Sequence, residues 1–174
     1  MKDQSRLTGE YAAILADIFA EVINKAAYNP SEFEKHGVTK SLLNCLNYIF
    51  LHGSSSIRHI ASGMEITLPA ASQLVDRLVK KNLANRCEDE TDRRIALVSL
   101  SASGLEIVKS YRQSKTEWFE SVLDGIKDKS KAHFIEGLES FLANAVKSDD
   151  IAKTCDRCGN THVPFCIINK LKNN

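Results

Sequence analysis

Residues Thr67–Ser101 read TLPAASQLVDRLVKKNLANRCEDETDRRIALVSLS, and the fold turns on this stretch. It divides into a helix, a turn, a strand, a charged loop and a second strand. Thr67 is placed to cap the helix, and Pro69 in the first turn removes no intrahelical hydrogen bond. Leu74, Val75 and Leu78 recur at helical spacing, so one side of the helix is core. Ala70, Ser72, Gln73 and Arg77 lie mostly on the other side. Small residues followed by Gln and Arg suit a helix that approaches a groove closely and then hydrogen-bonds base edges or phosphates. Asn82, after Lys80 and Lys81, is a stop signal, because Asn tolerates the left-handed conformation. Ala84–Arg86 and Ile95–Leu100 are extended, with Ala96, Val98 and Leu100 alternating against Leu97 and Ser99. The segment CEDETDRR between them is too polar to pack and reads as a solvent-exposed hairpin tip.

Upstream, Ser54–Gly63 (SSSIRHIASG) reads as a short helix with a serine cap and an apolar set at Ile57, Ile60 and Ala61. A short helix, a turn and a longer helix make a helix-turn-helix, and the following hairpin makes it a winged helix. The fold class expected is mainly α with a small β-hairpin wing.

The order of these elements, the string LVDRLVKKNLANR, and Asp92-Arg93-Arg94 followed by IALVSLSASG resemble the multiple-antibiotic-resistance regulator (MarR) family. That family carries a D-x-R wing, a strand, then L-T-x-x-G opening a long helix; here the last part is Leu100-Ser101-Ala102-Ser103-Gly104. Asn82 stands where the family usually has Gly, and Ser101 where it usually has Thr; both keep the physical role. The resemblance covers roughly residues 10–147. It implies an intertwined homodimer with one winged helix per subunit, and a transcriptional regulator, most simply a repressor, that binds double-stranded DNA at a pseudo-palindromic operator. It also implies a small-molecule effector, often phenolic or aromatic, bound between the dimer helices and the winged helix.

The composition agrees with a folded domain but does not announce DNA binding. The hydrophobic fraction is 43% and the net charge only +1, so the case rests on motif and placement rather than on bulk charge. No segment reads as membrane-spanning or as a secretory signal, so a cytoplasmic protein is expected. In such a compartment five cysteines are not a disulfide framework. No nucleophile–base set, P-loop or dinucleotide fingerprint is present, and an enzyme is not expected.

Four segments are expected. Residues 1–38 hold a polar start, a helix over Glu10–Tyr28 and a connector. Residues 39–101 form the DNA-binding lobe, 102–148 two further dimerisation helices, and 149–174 a cysteine-rich tail. The first helix carries a wide apolar stripe (Leu15, Ile18, Val22, Ala26, with Ile14, Phe19 and Ile23). A second helix over Thr39–His52 buries Leu42, Leu43, Leu46, Ile49 and Phe50. Cys45 on it reads as a small buried hydrophobe, with a peroxide-sensing thiol as the alternative. The long helix from Ser101 buries Leu105, Val108, Tyr111, Trp118 and Val122, with Gly104 marking a close contact. The last carries Phe134, Leu138, Phe141, Leu142 and Ala145 on one stripe.

The tail reads CDRCGNTHVPFC at 155–166. Cys155, Cys158, His162 and Cys166 supply three thiolates and one imidazole, a complete tetrahedral set for zinc. An iron–sulfur cluster is the runner-up and would use His162 or an outside ligand such as Cys87.

The DNA contacts expected are Ser72, Gln73 and Arg77 on bases or nearby phosphates, with Pro69 and Ala70 approaching by shape. Ser54, Ser55, Ser56, Lys80 and Lys81 are candidates for phosphates. On the family resemblance, Arg94 enters the minor groove, oriented by Asp92. DNA release would follow a small-molecule, metal or redox signal. The alternative function is a metal- or redox-dependent protein-interaction module acting through the tail.

Overall fold

The computed structural model describes residues 2–26, 33, 37–88, 96–147, 151, 154–155 and 166–172. The helices are α1 (Lys2–Ala26), α2 (Lys40–His52), α3 (Ile57–Gly63), α4 (Leu68–Lys80), α5 (Ala102–Asp124), α6 (Asp128–Ala145) and α7 (Ile167–Lys172). Strands β1 (Ser55–Ser56), β2 (Ala84–Glu88) and β3 (Ala96–Leu100) form an antiparallel sheet in the order β1-β3-β2.

Side-chain caps set the helix starts. Thr39, Ser56, Thr67 and Ser101 each stand in extended conformation, and each hydroxyl accepts an N–H from the first turn. Each such cap is worth about 1 kcal/mol. Asn82 has φ 57, the left-handed stop expected of it. Glu65 also has a positive φ, 53, in the turn between α3 and α4.

The core lies inside the winged-helix lobe. Val38, Leu42, Leu43, Cys45, Leu46 and Ile49 meet Ile60, Ala71, Val75, Leu78, Val98 and Val108, all buried. Strand β1 was not expected: Ser55 pairs with Val98 and Ser56 with Leu97, adding a third strand to the hairpin. A serine run carries no strand periodicity, so only its pairing partner reveals it.

Outside the lobe the apolar stripes are bare. Tyr11, Ile14, Leu15, Ile18, Phe19 and Val22 on α1 are all exposed, Ile18 by 55%. No α6 side chain is buried, and Phe141 is 66% exposed. On α5 only Gly104 and Val108 are buried; Leu105, Tyr111 and Trp118 are half-buried and Val122 is exposed. Phe50 too is half-buried, with the Arg112 guanidinium 5.4 Å from its ring centre. The stripes were read correctly as apolar, but within one chain few of them are covered. Helix α1 starts at Lys2 rather than Glu10, because no proline interrupts the polar run and one glycine costs only about 1 kcal/mol.

Gly104 marks a close backbone approach, as its place at the start of a long helix suggested. A Cβ there would collide with the Leu83 carbonyl oxygen, which also accepts the Ser101 N–H at 3.1 Å. Gly104→Ala should therefore lower stability by about 1–3 kcal/mol, the cost of overpacking. Gly9→Ala, in open space on α1, should leave the lobe's stability unchanged. Urea unfolding followed by near-UV circular dichroism of the two variants checks both.

Candidate nucleic-acid interface

Helix α4 divides cleanly. Ala71, Val75 and Leu78 are fully buried, while Pro69, Gln73, Arg77 and Lys80 are exposed. Their spacing puts Gln73 and Arg77 one turn apart on a single open face. Ala70 and Ser72 are half-buried at its edges. The result is a rigid rod, held by its core side, that presents a proline, an amide and a guanidinium outward. Lys80 and Lys81 extend the positive end.

The serine run is placed differently from expectation. Ser54 is exposed, but Ser55 is buried at 4% and its hydroxyl donates to the Gly53 carbonyl at 3.2 Å. That hydroxyl is spent inside the protein, so Ser55 is withdrawn as a phosphate contact. The Ser56 hydroxyl accepts the His59 N–H at 3.2 Å as the cap of α3. Asp92 and Arg94 lie outside the described residues, as do Cys158 and His162.

Two features of the site were not read from the sequence. Arg86 on β2 pairs with Asp76 on α4 at 2.6 Å, tying the exposed helix to the wing. Both groups are well exposed, so the pair contributes at most about 1 kcal/mol, and its effect is to fix where the two charges stand. The second is a cleft of about 630 Å³ between α2, the end of α3 and α5. Tyr48, Met64, Tyr111, Arg112, Lys115 and Phe119 are on its walls, with Glu65 and Glu120 at the same opening. The Arg112 guanidinium donates to Asn47 at 3.2 Å. Burial, and then the positive Arg112 beside it, lower the pKa of the Lys115 ammonium. An anion between Arg112 and Lys115 would offset the repulsion between the two cations, and the aromatic walls suit an apolar body beside it. The i, i+3 pairing of Arg112 with Lys115 among aromatics was the signal available beforehand.

The cleft also touches the reading head. The Tyr48 ring lies on Gly63, where a Cβ would strike it, and its hydroxyl donates to the His59 carbonyl at 3.2 Å. Tyr48 thus joins the cleft wall to α3.

Cys45 is fully buried, and burial pushes its thiol up to about 12. A sensing thiol must form thiolate readily, so Cys45 is a packing residue and the peroxide-sensing alternative is dropped. Among the described residues, no three His, Cys, Asp or Glu side chains gather as a metal site. No described helix is long and apolar enough to cross a membrane.

The MarR family sequence model matches residues 36–95. The chain is 29% identical over 153 residues to the transcriptional repressor MdtR of Bacillus subtilis (strain 168), covering 86% of this chain and 94% of that one. It is 26% identical over 101 residues to the transcriptional regulator BilQ of Clostridium symbiosum, covering 58% and 70%. The structure of YusO from Bacillus subtilis superposes with a TM-score of 0.64 at 25% identity, covering 82% of this chain and 98% of that one. The MepR–DNA complex of S. aureus shares the fold, with a TM-score of 0.62, 20% identity, and coverage of 77% and 99%.

At pH 8 Ellman's reagent should modify exposed Cys87 in the native protein and leave Cys45 untouched until denaturant is added. Mass mapping of the labelled peptides decides it; native labelling of Cys45 would contradict its burial.

Proposed function

We propose that the chain, whose residues 36–95 match the MarR family sequence model, is a homodimeric DNA-binding repressor of that family, released by an anionic small molecule. The observation that carries the DNA reading is α4, whose core face is fully buried while Pro69, Gln73 and Arg77 stand open on the other. A helix so held enters the major groove with its first turns near base edges. Gln73 and Arg77 read bases or the nearest phosphates; Ser72, Pro69 and Ala70 set the approach. Ser54, Lys80 and Lys81 hold phosphates. On the family pattern, Arg94 of the wing enters the minor groove with Asp92 beside it. The repressor sign is carried over from MdtR.

Dimerisation is supported by the bare stripes. Six large apolar side chains on α1, with Ile135 and Phe141 on α6, are exposed in one chain. A contiguous patch of that kind marks an interface. Two copies pairing through α1, α5 and α6 place their recognition helices about 34–36 Å apart, one turn of duplex. A role limited to protein interaction through the tail leaves the Gln73–Arg77 face without a use.

The effector reading rests on the cleft. An aromatic or other apolar carboxylate placed there is held by Arg112 and Lys115 and presses on Tyr48, which bears on α3 through Gly63 and His59. A shift of α3 alters the spacing of the two reading heads, and both must fit one duplex.

Selection from random duplex DNA should return a pseudo-palindrome. Arg77→Ala should weaken binding to it by about 1–3 kcal/mol, or roughly tenfold or more, with unchanged circular dichroism. Anisotropy titrations measure this; binding without sequence preference, or indifference to Arg77→Ala, would reject the assignment. Lys115→Met should leave operator affinity intact and abolish release by aromatic carboxylates such as salicylate or benzoate, assayed in the same titration. Release that survives in Lys115→Met, or that neutral analogues match, would move the effector elsewhere.

A further inference from the structure

Helix α4 begins with an exposed leucine. Leu68 is its first residue and is 50% exposed. Every other large apolar side chain described between residues 37 and 104 is buried or half-buried. The remaining exposed ones lie on α1, α5 and α6. A single exposed leucine is ordinary on a protein surface. This one stands at the tip of the element that enters the groove. Side chains on a helix lean toward its N-terminal end, so that of Leu68 extends past the first turn. Ser72 follows one turn behind it on the same side.

The chemistry of that tip is apolar. Leu68, Pro69 and Ala70 bring no polar side-chain atom. Pro69 has no N–H, and the Ala70 N–H is given to the Thr67 hydroxyl at 3.3 Å. The Ala71 N–H donates to the Thr67 carbonyl at 3.0 Å. Of the first turn's backbone donors, only the Leu68 N–H stands outside these bonds. The polar side chains of the open face start farther along, at Ser72, Gln73 and Arg77. On the major-groove edges of the four bases, the one apolar group is the C5-methyl of thymine; the rest is hydrogen-bond donors and acceptors. A leucine set against a donor or acceptor takes it from water and returns no bond, which costs binding energy. Set against the methyl group, both apolar surfaces leave water together.

We propose that Leu68 is a specificity residue, which in each half of the operator packs on the C5-methyl group of one thymine. The assignment rests on α4 entering the major groove, and it adds a base preference that the hydrogen bonds of Gln73 and Arg77 do not supply. The Thr67 cap and the fixed backbone of Pro69 hold the first turn in one conformation, so the leucine is presented without further ordering of the chain. The contact carries no charge and releases no counterion. It therefore changes affinity for the chosen sequence and leaves the salt dependence of binding alone, unlike a contact to phosphate.

The test pairs a change in the protein with the loss of one methyl group from the DNA. A duplex is selected from random sequence with the full-length protein. Its thymines are then replaced, one symmetric pair at a time, by deoxyuridine, which lacks only the C5-methyl group. At one such pair the replacement should weaken binding about fourfold per half-site, the worth of one buried methyl group. In Leu68→Ala, with unchanged circular dichroism, the same replacement should have no effect, whereas Arg77→Ala should keep the full penalty. The slope of log affinity against log salt should be the same in Leu68→Ala as in the unaltered protein. Sequence-specific binding without a thymine whose deoxyuridine penalty disappears in Leu68→Ala overturns the role of Leu68 and leaves the DNA reading of α4 standing. A salt slope altered in Leu68→Ala overturns that role equally. Protein that selects no sequence at all overturns both.

Discussion

One carbonyl oxygen holds the reading head to the rest of the chain. The Leu83 carbonyl accepts the Ser101 N–H and rests directly on the Cα of Gly104. The Leu83 N–H in turn donates to Leu78 at the end of α4. The Ser101 hydroxyl donates to the Asn82 carbonyl at 2.7 Å while accepting the Gly104 N–H at 3.0 Å. The end of the recognition helix, the root of both wing strands and the start of α5 are thus joined within a few residues. A methyl group at Gly104 would push these elements apart, and the orientation of α4 depends on their staying together.

This junction belongs to a lobe that is complete in itself. Its core runs from Phe33 to Val108, and the described side chains of α1 and α6 contribute nothing to it. The long arms are held in the chain by sparse contacts, such as the edge-on Phe19–Phe134 pair at 6.0 Å and the Lys40–Asn24 hydrogen bond. The molecule therefore divides its apolar surface in two. One part stabilises the lobe from within, and the other stays exposed on the single chain. The tail adds a third arrangement, a small element docked on an arm.

The lobe was legible in the sequence because its signals are local. Thr67, Asn82, Ser101 and the Leu74–Leu78 periodicity each act within a turn or two of their own position, and each stands where it was read. The family resemblance rested on the same local strings. What the sequence did not disclose was set by distant partners. Ser55 and Ser56 form a strand only because β3 lies beside them, and the Ser55 hydroxyl is spent on the Gly53 carbonyl rather than offered at the candidate interface. Asp76 and Arg86 are ordinary surface charges until the hairpin folds back on α4. The cleft needs α2, α3 and α5 together, and only Arg112 and Lys115 hinted at it. Burial on α5 was overread, at Val122 above all, because an amphipathic stripe marks an apolar face and not what lies against it.

Helix α5 leaves the Gly104 junction as a lever. Its 23 residues extend about 34 Å at 1.5 Å per residue. Arg112 and Lys115 lie roughly 12–17 Å from Gly104 by the same measure. A tilt about Gly104 that moves the helix by one ångström at the cleft moves its far end by about two, next to the turn that leads into α6. At the fulcrum the same tilt translates almost nothing and appears as rotation. Mechanical advantage thus runs outward to the arms, and what reaches α4 is a change of angle.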